Sequence, residues 1–222
     1  MRSLSLLEAR VLGVLVEKSL TVPDSYPLSL NSLTLGCNQK TARDPVLAAS
    51  EGEVQAAVDA LKSLSLAFES SGSRVTRYEH NLGRALSLPS QSVALVATLV
   101  LRGPQTASEL RTASERLHRF ADVSAVEGFL EELAARPEEK GGPLAVKLPR
   151  AAGAREPRWA HLLGGPVDAS VLASPASPGD AESIVPASEL AAVKTRLAGA
   201  EAELAVLRDR VDRLYVEFGL KR

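Results

Sequence analysis

The sequence is short of several residue types and charge patterns, and each shortage excludes a class of protein. A single cysteine, Cys37, cannot form an intramolecular disulfide, so we expect a protein of the reducing cytoplasm. The 26 Lys and Arg residues are balanced by 27 Asp and Glu, so DNA binding would need local basic patches. The longest uncharged run, residues 85–101, is too short for a membrane span and predicts a buried core helix in its second half.

The residues expected of an enzyme or a metal site are also missing. His80, His118 and His161 lie far apart in sequence, with no Cys or carboxylate at ligand spacing, so neither zinc nor a catalytic triad is indicated. The stretch GCNQKT has the Lys-Thr pair of a phosphate-binding loop, but Gln39 replaces the glycine that precedes the lysine. We therefore expect a protein that is not an enzyme and uses no cofactor or metal.

What is present is an order of helices and strands that occurs twice. In residues 1–82, apolar residues at helical spacing predict helices at about 4–18, 28–37 and 51–65, the third beginning with a Ser50–Glu53 capping box. The stretches LAFESS and RVTRYEH then predict a small hairpin whose second strand lies at the sheet edge. Three helices followed by a two-stranded hairpin is the order of a winged-helix domain.

The same order recurs in residues 83–164. Helices are predicted over 89–101, 106–114 and 122–137, the second beginning with a capping box of Thr106 and Glu109. The stretches LAVKLP and PRWAHLL predict the strands of a second hairpin. The predicted fold class is therefore mainly α with small β-hairpins, built as two tandem winged-helix domains.

Three stretches of these halves closely resemble the YceH-like family of bacterial proteins. They are EARVLGVLVEKSLTVPDSYPLSLNSLTLGCNQKTARDPV, LRGPQTASELRTASERLHRFADV and PRWAHLL, and the resemblance covers residues 4–163. Members of that family are built as tandem winged helices and lack an established function, so the resemblance implies a fold and no activity. This chain has Thr41-Ala42 where the family pattern has Ser-Asn.

Cations on the wings and before the third helices are candidates for contacts with duplex DNA. They are Lys40, Arg43, Arg74, Arg77, Arg116, Arg119, Lys147, Arg150, Arg155 and Arg158. In the alternative interpretation Arg43 and Asp44 pair with neighbours and Asn38 caps helix two. Glu51 and Glu53 would bring carboxylates toward the DNA phosphates and so weaken DNA binding. The alternative function is therefore a module that binds a protein partner and no DNA.

The sequence pattern of the last quarter of the chain predicts a linker followed by a helix for self-association. Residues 165–187 are rich in Pro, Ser and Gly and predict a flexible linker. Residues 188–222 carry apolar residues at an unbroken seven-residue repeat, which predicts a coiled-coil helix and a homodimer. The interface candidates are Leu190, Val193, Leu197, Leu204, Leu207, Val211, Leu214 and Phe218. In the alternative, this helix folds back onto its own winged domains.

Replacing both Leu204 and Leu207 with Asp tests the dimer. These are adjacent a and d residues at the centre of the repeat, so the change would bury two charges in any coiled-coil seam and should abolish pairing. We expect sedimentation to show a dimer becoming a folded monomer, and deletion of residues 165–222 to have the same effect. An unaltered protein that sediments as a monomer at micromolar concentration would contradict the dimer.

Overall fold

The computed structural model of the chain describes residues 2–70, 75–150 and 153–167. In these residues the chain is mainly helical with two small antiparallel sheets, which confirms the predicted fold class at this level. The predicted coiled-coil helix, and the predicted linker beyond residue 167, lie outside the described residues. Within the described ranges, no helix combines the length and the apolar character needed to cross a membrane.

The first half contains the three predicted helices within three residues of their expected bounds. Two further elements were not predicted: a short first strand, and a single helical turn at the end of this half. Its elements, in chain order, are α1 (Leu6–Thr21), β1 (Leu28–Ser29), α2 (Leu30–Cys37), α3 (Glu51–Ser63), β2 (Ala67–Ser70), β3 (Arg77–His80) and α4 (Leu82–Ala85).

The second half repeats the order of three helices and two paired strands. Its elements are α5 (Ser90–Arg102), α6 (Ala107–Ala113), α7 (Val123–Ala134), β4 (Ala145–Lys147) and β5 (Trp159–His161). β4 and β5 pair antiparallel, with Ala145 opposite His161 and Lys147 opposite Trp159. The helices and strands predicted for this half are confirmed.

Side-chain caps fix where several of these helices begin. The capping boxes predicted at Ser50–Glu53 and Thr106–Glu109 are both present, with each hydroxyl accepting a backbone N–H and each carboxylate accepting one in return. A third capping box, at Ser5 and Glu8, begins α1. These side chains satisfy N–H groups that have no partner inside their own helix.

β3 is the central strand of its sheet, so the predicted edge position was wrong. The sheet order is β1-β3-β2, and the register places Leu28 of β1 opposite Tyr78 of β3. Both of these side chains are buried, so β1 closes the open side of the predicted hairpin. A two-residue strand is too short to show an alternating pattern, which explains why the sequence does not reveal β1.

The two halves share one hydrophobic core, in which α1 and α5 pack along each other. Residues 8–16 of α1 and 92–101 of α5 are all buried, which confirms the core helix predicted from the uncharged run. Gly13 permits the close approach of the two helices. A Cβ at this position would lie 3.0 Å from Val100 Cγ1 and 3.1 Å from Leu101 Cδ2.

A second glycine brings α2 against α1. A Cβ on Gly36 would lie 2.6 Å from Cγ1 of Val14, a separation that real Cβ atoms essentially never show. Val14 is fully buried, so its side chain has little space into which it can turn. The contact therefore requires glycine at position 36, although alanine is the better helix former.

Gly36→Ala should destabilise the protein because the added methyl must displace Val14 or α2. We expect a loss of about 1 kcal/mol or more in the free energy of unfolding, measured by urea denaturation, since overpacking outweighs the helix propensity gained. Gly128→Ala in α7 is the matched control, because nothing lies within 4 Å of its Cβ and the change should stabilise by up to about 1 kcal/mol. Equal stabilisation by both changes would contradict the close contact.

Candidate functional site

Arg43, near the end of the polar segment Cys37–Pro45, is buried and contacts Glu17 of α1. Its side chain is 1% exposed. The guanidinium donates to both carboxylate oxygens of Glu17, from Nη1 at 3.2 Å and from Nη2 at 2.6 Å, and Nη2 also donates to Gln39 Oε1 at 2.6 Å. Nε donates to the carbonyl of Gly36 at 3.1 Å. The geometry favours the alternative in which Arg43 pairs with its neighbours.

Glu17 keeps its charge in this environment. Burial acts to raise the pKa of Glu17, but the hydrogen bond and charge of Arg43, together with the ammonium of Lys18 at 3.3 Å, hold that pKa below its ordinary value. The pair is thus an ionised carboxylate and a guanidinium with two hydrogen bonds between them.

Arg10 is a second buried arginine beneath the same segment. Its Nη1 donates to the carbonyl of Cys37 at 3.2 Å and its Nη2 to the carbonyl of Pro45 at 2.7 Å, so one side chain holds both ends of the segment. Burial, followed by the charge of Arg43, lowers the pKa of Arg10. Because Arg10 and Glu17 are two helical turns apart, they lie on one face of α1.

Further contacts hold the remainder of the loop between α2 and α3. Asn38 is paired twice with Ala49, its Nδ2 donating to the carbonyl and its Oδ1 accepting the N–H, both at 2.8 Å. The N–H of Asp44 donates to the carbonyl of Leu101 on α5 at 2.8 Å. Cys37 is fully buried, and burial raises the pKa of its thiol to about 12, so it is a small core residue.

The other candidate cations of the first half differ in exposure. Lys40 is exposed. Arg77 is half-buried and donates from Nη1 to the carbonyl of Pro27 at 2.7 Å, which ties β3 to the chain before β1. Arg74 lies outside the described residues. Among the described residues, Arg43 is turned toward Glu17 and Arg77 toward Pro27, which leaves Lys40 as the exposed candidate.

The candidate cations of the second half are more accessible. Arg116 and Arg119 are exposed, and Arg119 lies 3.5 Å from a carboxylate oxygen of Glu115. Arg158 is half-buried and donates from Nη1 to the carbonyl of Pro104 at 3.2 Å, with Glu109 Oε1 3.6 Å from its Nη2. The hairpin presents three exposed cations, Lys147 at the end of β4 and Arg150 and Arg155 in the loop that follows.

The third helix of each half has an acidic outward face. The exposed charged residues of α3 and α7 are Glu51, Glu53, Asp59, Glu127, Glu131 and Glu132. Lys62, the one cation of α3, is half-buried and paired with Asp59 and Glu69, and α7 contains no Lys or Arg. The acidity of α3 was predicted from the sequence, and that of α7 is an additional feature.

The histidines of the two sheets are packing residues in the described structure. His80 and His161 each have a buried Nδ1 without a hydrogen-bond partner among the described residues. Burial lowers the pKa of both, that of His161 to about 4, so both are neutral at physiological pH. Across residues 2–70, 75–150 and 153–167, no three His, Cys, Asp or Glu side chains gather into a metal ligand set.

The fold and these contacts define a mainly helical protein with two small sheets and an ion pair between a buried Arg43 and a half-buried Glu17. The chain belongs to the family described as protein of unknown function, DUF480, whose model matches residues 4–154. It is similar to the UPF0502 proteins of Leptothrix cholodnii (58% identical over 99% of this chain and 97% of that protein) and Methylibium petroleiphilum (60%, 99% and 92%). A UPF0502 protein of Burkholderia ambifaria is 56% identical over 99% of this chain and 91% of its own. The resemblance inferred from the motifs, to a family without an established function, is thereby confirmed.

Arg43→Ala should destabilise the protein by about 2 kcal/mol, because it deprives the half-buried carboxylate of Glu17 and the carbonyl of Gly36 of their donor. Urea denaturation measures this change. Lys40→Ala is the matched control, since it removes an exposed cation from the same segment and should change stability by less than about 0.5 kcal/mol.

The pH dependence distinguishes the ion pair from simple packing. A lowered pKa means that the contribution of Glu17 is complete at neutral pH and declines as the pH falls through that pKa. The difference between the original protein and the Arg43→Ala variant should therefore shrink in acid. A difference that is the same at pH 7 and in acid would show that Arg43 acts through packing alone.

Proposed function

We propose that residues 1–82 and 83–164 are two winged-helix modules, and that the pair is a non-enzymatic module that binds a partner protein. The order of elements supports the first part, since three helices precede two paired antiparallel strands in each half. The observation that carries the second part is the acidic outward face of both α3 and α7.

These two helices are poorly suited to bind DNA. A helix-turn-helix protein places its recognition helix in the major groove, between two rows of phosphates. The carboxylates of α3 and α7 would be held near those phosphates, and the described part of either helix offers no unpaired cation to compensate. The same faces attract a polypeptide that carries Lys or Arg.

The surface beside α3 also offers an apolar contact. Asn31 of α2 donates to Glu51 Oε1 at 3.0 Å, which joins the outer faces of α2 and α3. Leu35, one helical turn beyond Asn31, is 65% exposed. An exposed leucine near carboxylates suits a partner segment in which an apolar side chain is flanked by cations. We name this surface, made of Asn31, Leu35, Glu51 and Glu53, the α2–α3 face.

The proposal extends to a cytoplasmic homodimer. The single cysteine is buried, which suits a reducing compartment, and the seven-residue repeat of residues 188–222 supports pairing of two chains. A dimer would carry two α2–α3 faces, so a partner with two matching segments would bind more tightly than either segment alone.

A second candidate, a DNA-binding or regulatory role, rests on the second hairpin. Lys147, Arg150 and Arg155 are exposed there, and the ammonium of Lys147 lies 5.4 Å from the centre of the Trp159 ring. Phosphate contacts by this wing need no contribution from α3 or α7. This candidate predicts binding without sequence readout by a recognition helix.

A photo-crosslinking amino acid placed at Leu35 of the full-length protein should capture a discrete partner in the native cell. Glu51→Lys with Glu53→Lys should abolish the adduct by reversing the charge of the α2–α3 face, whereas Glu138→Lys with Glu139→Lys reverses exposed charges elsewhere and should preserve it. The same crosslinker at Leu6, which is also exposed, serves as the positional control. An adduct that is unaffected by the reversal at Glu51 and Glu53 would contradict the proposal.

Titration of the full-length protein with duplex DNA at several salt concentrations decides the second candidate. If the wing binds DNA, changing Lys147, Arg150 and Arg155 to Ala should flatten the dependence of log affinity on log salt by about one unit for each phosphate that the variant no longer neutralises. The protein-binding proposal expects weak affinity at physiological salt and no change of slope.

A further inference from the structure

A polar cleft lies where the two halves meet, and its lining is strongly cationic. Its volume is about 200 Å³. The first half contributes the end of α1 and the segment around Arg43, and the second half contributes the end of α5 and the chain from Ala113 to Leu117. The charged side chains of the lining are Glu17, Lys18, Arg43, Arg102 and Arg116. We name this space the interhalf cleft.

The charge of the cleft is unbalanced. Four cations line it against one carboxylate, and that carboxylate is already bound by Arg43 and lies 3.3 Å from Lys18. Arg102 and Arg116 are exposed and have no hydrogen bond or ion pair within the described part of the chain. The cleft therefore holds a net positive charge that the described residues leave uncompensated.

The groups that face the cleft are mainly hydrogen-bond donors. Gln39 lines the cleft, and its carbonyl oxygen accepts from Arg43 at 2.6 Å and from Lys18 at 3.4 Å. Both donors occupy the oxygen, so the amide nitrogen of Gln39 keeps its two hydrogens for another acceptor. Together with Lys18, Arg102 and Arg116, this gives several donors and a cationic field around one small space. A ligand that only accepts hydrogen bonds and carries more than one negative charge matches that set.

We propose that the interhalf cleft binds the phosphate group of a small phosphorylated molecule. Phosphate satisfies the three requirements of compact size, multiple negative charge and acceptor oxygens on several sides, whereas a carboxylate carries a single charge and two oxygens. Arg102 and Arg116 contact the bound group directly, and Lys18 and Gln39 complete its hydrogen bonds. Because the lining comes from both halves, the bound group joins α1 and the segment around Arg43 to α5 and α6.

The proposal is independent of the protein-binding function, because it involves neither the α2–α3 face nor α7. If the crosslink at Leu35 forms but phosphate does not bind, only this inference is contradicted. The converse result would remove the proposed function alone.

Titration of ¹⁵N-labelled full-length protein with inorganic phosphate, at constant ionic strength balanced with sodium chloride, tests the cleft. We expect saturable chemical-shift changes at the Gln39 side-chain amide and at the Thr41 backbone amide. Arg102→Gln with Arg116→Gln should weaken binding about tenfold or more, since the variant cannot form two charge-assisted hydrogen bonds to the phosphate. Arg84→Gln with Lys140→Gln removes two exposed cations that do not line the cleft and should leave the affinity unchanged.

Three other probes identify the source of the phosphate. Glycerol 3-phosphate should bind at least as tightly as inorganic phosphate, and acetate should bind more weakly. A short single-stranded oligonucleotide that displaces phosphate when glycerol 3-phosphate does not would overturn the proposal in favour of a nucleic-acid backbone. The absence of a saturable shift, or equal affinity in the two double variants, would overturn it as well.

Discussion

The ion pair between Glu17 and the buried Arg43 is the interaction on which the loop between α2 and α3 depends. This loop has no regular hydrogen-bonding pattern, so the last carbonyls of α2 need donors from side chains. Arg43 donates to Gly36, and Arg10 donates to Cys37 and to Pro45. The charge of Arg43 acts unfavourably on Arg10, and Glu17 offsets the charge of Arg43 through its two hydrogen bonds. The loop is therefore held by charged groups of α1 rather than by apolar packing.

The same helix connects this loop to the second half of the molecule. Arg10, Gly13 and Glu17 follow one another on the same side of α1, and Gly13 lets α5 approach the helix closely there. The N–H of Asp44 reaches the carbonyl of Leu101 at the end of α5, so the loop touches both halves. A change at the ion pair would consequently be felt at the junction of the halves. The interhalf cleft lies at this junction and shares Glu17 and Arg43 with it.

Local sequence signals were sufficient to predict most of the helices and strands. The contacts of the candidate site join residues that are distant in sequence, and local signals do not reveal them. Capping boxes and apolar spacing locate α3 and α6 because both signals lie within a few residues of the helix. The pairing of β1 with β3 joins residues about fifty positions apart and leaves no periodic trace. For the same reason Arg43 was a candidate for DNA when it is a buried partner of Glu17. The sequence did contain one signal of a buried polar contact. Arg10 and Glu17 are charged residues within the otherwise apolar face of the first helix.

Although the net charge of the chain is small, positive and negative side chains are concentrated on different parts of its surface. Carboxylates cover the outer faces of α3 and α7, while cations occupy the hairpin of β4 and β5 and the interhalf cleft. Fields from such patches act over about a Debye length, roughly 8 Å at physiological salt, so each patch attracts its own ligand in spite of the overall balance. The two proposed ligands, a polypeptide with cations and a phosphorylated small molecule, would therefore bind at different surfaces. Arg43 donates to Gly36 of α2 and lines the cleft together with Glu17, so this ion pair adjoins both α2 and the cleft.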